Sequence, residues 1–153
     1  MRLLVHAKTE VFAAVADFAM SSDEHKAVDF ILVRTMTPRE VVCLLLSRFP
    51  TTRDLVCPDE YCFEEPSRVY DSFAGIVIER SDDHEFLQSV ALFIDELAES
   101  KDPLIKDVLI ANLLEGIAAN ARVARMISRS ISPRSRSLLY EVESKVYGRE
   151  PMG

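Results

Sequence analysis

With 153 residues, 48% of them apolar and only four glycines, the chain holds enough material for one domain with its own core, and it lacks the turn glycines of a β-rich fold. Its formal charge of −7 weighs against nucleic acid or an anionic membrane as the partner of the whole surface. No apolar run approaches the ~20 residues needed to span a bilayer.

The opening MRLLVHAKTEVFAAVADFA is broken by His6, Lys8, Glu10 and Asp17, so a signal peptide is not expected. Residues 2–20 read as a helix with Leu4, Val11, Phe12, Val15, Phe18 and Ala19 on one side. The cluster Ser21-Ser22-Asp23-Glu24 ends it and starts a second helix through KAVDFILV, residues 26–33, where no partner strand is evident. Thr37-Pro38-Arg39-Glu40 is a capping box with proline at the first helical position, and Phe49-Pro50 closes the helix it starts. Residues 51–66 read as a loop, CPDEYCFEEP at its heart, with a short helical turn at 53–56. Ser67 is the expected cap of a helix to Arg80 that buries Val69, Tyr70, Phe73, Ile76 and Val77.

Residues 81–120 read as a helical hairpin. Ser81 is the expected cap of the first arm, with Asp82, Asp83 and Glu85 in its first turn, where the helix dipole favours negative charge. Phe86, Leu87, Val90, Ala91, Ile94, Leu97 and Ala98 form its apolar stripe. Asp102 and Pro103 open the second arm, which is so apolar that more than one side should be covered. Gly116 weakens that arm by about 1 kcal/mol relative to alanine unless a neighbouring helix approaches closely there. A bend near Asn120 leads to helix 121–130, and Ser132-Pro133 starts a last helix burying Leu138, Leu139, Val142 and Val146. Gly148 and Pro151 mark a frayed tail, residues 148–153. The expected fold is all-α, an irregular bundle of about seven or eight helices in one domain, with HEAT-like α-solenoid stacking as the alternative arrangement.

Charge is unevenly spread. Residues 1–53 carry 7 basic and 6 acidic side chains, residues 54–107 carry 4 and 15, and residues 108–153 carry 7 and 4. The nets of +1, −11 and +3 give the total of −7. An acidic third steers cationic partners, although charge runs also serve only as solvated faces. Asp59-Glu60 and Glu64-Glu65 bracket Tyr61 and Phe63 on the irregular loop, an anchor with an electrostatic rim. The candidate partner-binding residues are therefore Asp59, Glu60, Tyr61, Phe63, Glu64 and Glu65, extended by Asp82, Asp83 and Glu85. Arg122, Arg125, Arg129, Arg134 and Arg136 are expected to pair with the acidic helices rather than with nucleic acid.

No catalytic constellation is present. The cluster Asp82-Asp83-His84-Glu85 points its side chains in different directions around a helix, so it reads as capping rather than as a metal site or a held general base. There is no Gly-x-Ser-x-Gly elbow, phosphate-cradling glycine loop or His-Glu-x-x-His pair. No enzyme, metal or other cofactor is expected. Cys43, Cys57 and Cys62, an odd count without paired spacing, read as reduced thiols of a cytoplasmic protein, with Cys43 in a helix core.

From Thr37 onward the chain resembles a bacterial all-helical domain of unassigned biochemistry that recurs among toxin-immunity-type proteins. The marks are the capped helix Thr37 to Phe49-Pro50, Tyr70 and Phe73, then Phe93-Ile94-Asp95-Glu96-Leu97 with Ser100 and Asp102, then Leu114-Glu115, and last Leu138-Leu139-Tyr140-Glu141-Val142-Glu143. Residues 1–36 lie outside the resemblance, which covers 37–147, and Asn112 departs from it. No site residues carry over. The resemblance implies a cytoplasmic immunity protein, or antitoxin, that binds and neutralises a cognate toxin. An acidic face suits a basic one, such as a nuclease effector of contact-dependent growth inhibition or another secretion system. The alternative is a helical scaffold or adaptor for a partner peptide or helix, and neither reading involves direct contact with nucleic acid or membrane.

Overall fold

The computed structural model describes residues 35–150, all of whose regular structure is helical. The helices expected at 2–20 and 26–33, and the expectation for Pro151, lie outside the described residues.

Helix α1 (Pro38–Arg48) begins as its sequence requires. The backbone N–H of Glu40 donates to Thr37 Oγ1 at 3.2 Å, and that of Thr37 donates to Glu40 Oε2 at 3.1 Å. Phe49 ends the helix, and the chain passes through a 3₁₀ turn (Pro50–Thr52), short helix α2 (Arg53–Val56) and a second 3₁₀ turn (Tyr61–Glu64). Helix α3 (Pro66–Glu79) starts one residue before the expected cap, because Pro66 itself occupies the first position and Ser67 falls inside the first turn. Helix α4 (His84–Glu99), by contrast, starts later than its serine suggested. Ser81 is buried in the turn, and Asp83 is the cap, its carboxylate accepting from Phe86 N at 3.0 Å.

Asp102 then opens a rod made of α5 (Pro103–Asp107), a π-helical segment (Val108–Leu114) and α6 (Glu115–Ala118). The pattern behind the π segment is the spacing of its apolar pairs, 104/105, 108/109, 113/114 and 117/118, which steps by 4, 5 and 4. An α-helix would turn the pair after the five-residue step away from the core. The wider i→i+5 turn keeps it inside, and Val108, Leu109, Leu113, Leu114, Ile117 and Ala118 are all buried. Asn112 faces outward enough to donate to Asp71 Oδ1 at 3.1 Å, which accounts for a polar residue in this run. Helices α7 (Ala121–Ser128) and α8 (Pro133–Tyr147) complete the domain, capped by Asn120 and Ser132. On α8, Leu139 and Val142 are buried and Leu138 partly so, whereas Val146 is exposed, contrary to expectation. The tail is held at its start: Gly148 takes the left-handed conformation (φ 61°), and the next N–H, of Arg149, donates back to Glu143 O at 3.1 Å.

The helices converge on one core, with the rod packed against α1, α3, α4 and α8, so the arrangement is an irregular bundle and not a linear stack of pairs. The rod's most extensive partner is α3 rather than the other arm of its own hairpin. Gly116 is the reason the two come so close, since a Cβ placed there would lie 2.5 Å from Ala74 Cβ. Phe49, thrown inward where α1 ends, sits at the centre of an aromatic cluster with Phe73, Phe93 and Phe86 at ring centroid distances of 4.7, 5.5 and 5.7 Å. Such pairs add about 0.5–1.5 kcal/mol each beyond the area they bury. Tyr70 joins them and donates its hydroxyl to Val41 O at 3.0 Å, while burial pushes that hydroxyl well above the usual tyrosine range.

Two carboxylates tie the bundle together. Asp102 Oδ1 accepts from Leu104 N and Ile105 N at 2.9 and 3.2 Å, and its Oδ2 accepts from Met36 N, joining the start of the described chain to the rod. Asp95 on α4 accepts from Ser132 N at 2.9 Å and Ser135 Oγ at 2.6 Å, fixing the entry of α8. Burial raises the Asp95 carboxyl, but these bonds to the ionised form outweigh it and hold the group below the ordinary carboxylate value.

Candidate partner-binding surface

The segment from α2 to the start of α3 is closed by a disulfide between Cys57 and Cys62, whose Cα atoms lie 5.3 Å apart. This corrects the reading of all three cysteines as reduced thiols, and with it the thiol argument for the cytoplasm. The enclosed Pro58-Asp59-Glu60-Tyr61 stretch allows the two sulfurs to meet, a turn that counting cysteines does not reveal. Cys43 is free and packs partly buried against the core. Asp59 braces the loop from within, its Oδ1 accepting from Cys62 N at 3.1 Å.

The bridge and the 3₁₀ turn sort the loop's side chains. Tyr61 points outward and is 79% exposed. Phe63 is buried, with the Arg39 guanidinium 4.5 Å from its ring centroid and that of Arg53 at 6.0 Å, so it is a core and cation–π residue rather than a partner contact. Glu60 and Glu64 are exposed and make no ion pair with a described residue, while Glu65 pairs with Arg68 at 3.0 Å. Leu55 on α2, two residues before the bridge, is 69% exposed. The sequence signal for Leu55 is weak, a single leucine between Asp54 and Val56 in a helix one turn long.

The acids at the entrance to α4 have local employment. Asp83 caps the helix and meets Arg80 at 3.2 Å; the bond from Phe86 N, then that from Arg80, holds its carboxyl below the usual range. Asp82 meets Arg122 at 3.1 Å, and Glu85 lies exposed in the first turn. Among the described residues no hydrogen bond or ion pair links these three to the loop. Of the arginines, Arg122 and Arg134 pair with acids of this hairpin (Arg134 with Glu99 at 3.5 Å), and Arg136 donates to the carbonyls of Ser128 and Ile131. Arg125 and Arg129 make no ion pair with a described residue.

Tyr61 inside the bridged loop and Leu55 before it are exposed, and so are their acidic neighbours in sequence, Asp54, Glu60 and Glu64. His84 is exposed at the first turn of α4, and no group of three or more metal-ligating side chains occurs among the described residues. No helix among them is long and apolar enough to cross a membrane. No protein-family model, curated protein or solved structure matches the chain.

Proposed function

We propose that this chain is an immunity-type protein that captures a basic protein toxin on the loop between α2 and α3. Tyr61 enters a pocket of the partner and the surrounding acids face its cationic surface. The observation that carries this reading is the 79% exposure of Tyr61 on a loop closed by a covalent bridge. A large aromatic left in water on a rigid support lacks an intramolecular purpose, and tyrosine is enriched among the residues that dominate interface energies. The net of −11 over residues 54–107 supports a cationic partner, whose nucleic-acid groove an acidic face can occlude without chemistry.

The test uses a toxin domain encoded beside this chain's gene. Co-expression should protect growth, and Tyr61→Ala or the combined reversal Glu60→Lys/Glu64→Lys should abolish protection while leaving the fold intact. Protection undiminished by both variants overturns the proposal, and a genomic setting without a toxin gene counts against it. The adaptor reading rests instead on apolar contact through Leu55. It requires affinity that barely changes with salt, whereas capture by an acidic rim weakens as ionic strength rises.

A further inference from the structure

A cleft of about 300 Å³ opens on α7 and α8, walled by Ala121, Arg125, Tyr140 and Glu143 and, beyond the Gly148 cap, by Arg149 and Glu150. Three of its groups bear on what it could hold. Glu143 is only 9% exposed, yet its carboxylate makes no hydrogen bond or ion pair with a described residue. The Arg149 guanidinium lies over the Tyr147 ring at 5.0 Å and donates from one terminal nitrogen to Ala118 O, but its Nε is buried without an acceptor among the described residues. Arg125, exposed to solvent, lines the same cleft without an ionic partner among the described residues. A buried donor left without an acceptor is costly, and natural proteins keep one where something else completes it; the Arg149 Nε is such a donor, and the Glu143 carboxylate beside it in the cleft wall is unpaired among the described residues.

We propose that this cleft binds a small zwitterion of the α-amino-acid class, its ammonium on Glu143 and its carboxylate between Arg125 and Arg149. A plain phosphate or carboxylate would meet repulsion from Glu143 and Glu150, and a plain cation would face two guanidiniums; a ligand carrying both charges at α-amino-acid spacing satisfies both ends. The Ala121 methyl and the Tyr140 ring offer apolar surface to its side chain. The volume lies at the lower end of ligand pockets, suited to about ten non-hydrogen atoms, for which a Kd of roughly 0.01–1 mM is in keeping.

The test is calorimetry and thermal shift on the full chain with the free L-amino acids at millimolar concentration. At least one should raise Tm and titrate to saturation. Its counterpart lacking the amine, and its counterpart lacking the carboxylate, should each bind at least about tenfold more weakly, as should the original ligand with Glu143→Gln or Arg125→Ala. Should Glu143→Gln fail to fold, the exposed Arg125 and the two counterpart ligands carry the same comparison. The proposal is overturned if no amino acid binds, if binding is indifferent to Arg125→Ala, or if inorganic phosphate binds equally well, which would make the cleft a plain anion site. The cleft shares no residue with the Tyr61 loop, so its failure leaves toxin capture standing.

Discussion

Gly116→Ala sets two helix terms against each other. In an open helix this change stabilises by about 1 kcal/mol, because alanine has less backbone freedom to lose. Here the added methyl would meet Ala74 Cβ at 2.5 Å, whereas ordinary contact begins at 3.4 Å. The obstructing atom is fixed directly to the α3 backbone, and Ala74 is 1% exposed, so no flexible side chain can swing aside. Relief requires α3 and the rod to separate by about an ångström along the most extensive packing in the bundle. Overpacking of this kind costs about 1–3 kcal/mol, and because the displaced atoms belong to two backbones we place the cost at the upper end. The net expectation is a loss of about 1–2 kcal/mol, or a fall in Tm of roughly 2–8 °C at about 2–4 °C per kcal/mol. The comparison is Gly75→Ala, one residue from the contact partner on α3, where nothing lies within 4 Å of the new Cβ; it should gain about 0.5–1 kcal/mol. Urea unfolding followed by far-UV circular dichroism measures both. In an Ala74→Gly background the clash disappears, so Gly116→Ala should turn neutral or stabilising, a coupling of about 1–3 kcal/mol in the double-mutant cycle. Gly116→Ala as stable as the parent, or additivity with Ala74→Gly, would refute the close-approach argument.

Asp102→Ala removes acceptors for three backbone N–H groups, at Met36, Leu104 and Ile105, and should cost about 1–3 kcal/mol by chemical denaturation, with Asp102→Asn recovering part of it. Asp95 has a folded value below its ordinary 3.8, so its contribution is complete above the ordinary value and is lost as pH falls through the folded one. Asp95→Asn should accordingly flatten the decline of stability below about pH 4, and an unchanged acid limb would show that Asp95 does not titrate on unfolding. Opening the Cys57–Cys62 bridge with reductant should cost about 2 kcal/mol by the chain-entropy relation for so short a loop, and Cys57→Ser should abolish the difference between reducing and non-reducing buffers. Tyr61→Ala should change stability by less than about 0.5 kcal/mol, since its side chain lies mostly in water; a larger loss would place the ring in the fold rather than at a partner.

Local rules were legible wherever a short run of sequence settles its own hydrogen bonding. Thr37-Pro38-Arg39-Glu40 forms its capping box, Asp102-Pro103 opens the rod, and Ser132 caps its helix, because each cap closes within three residues. Where several candidate caps stand together, as in Ser81-Asp82-Asp83, the choice of Asp83 followed from where the turn after α3 placed the chain. The close approach at Gly116 was readable as a possibility from one glycine in an apolar helix, but only packing identified Ala74 as the neighbour.

The candidate surface shows the same division. The acids and aromatics of the loop stand out in the sequence, while alternation along four residues of a 3₁₀ turn cannot tell which ring faces water. The bridge and the two arginines decided that, sending Phe63 inward and leaving Tyr61 outside. The 4, 5, 4 spacing that demands a π turn was present in the sequence, yet it acquires meaning only once the face of the rod that α3 covers is known. By itself, then, the sequence determined an all-helical chain with these caps and an acidic middle, since hydrophobic period, capping chemistry and charge act over a few residues. The folded structure alone decided the partner of each apolar face, the meeting of Cys57 with Cys62 and the cleft that Glu143, Arg125 and Arg149 line together, because these depend on distances between residues far apart in the chain or around a turn.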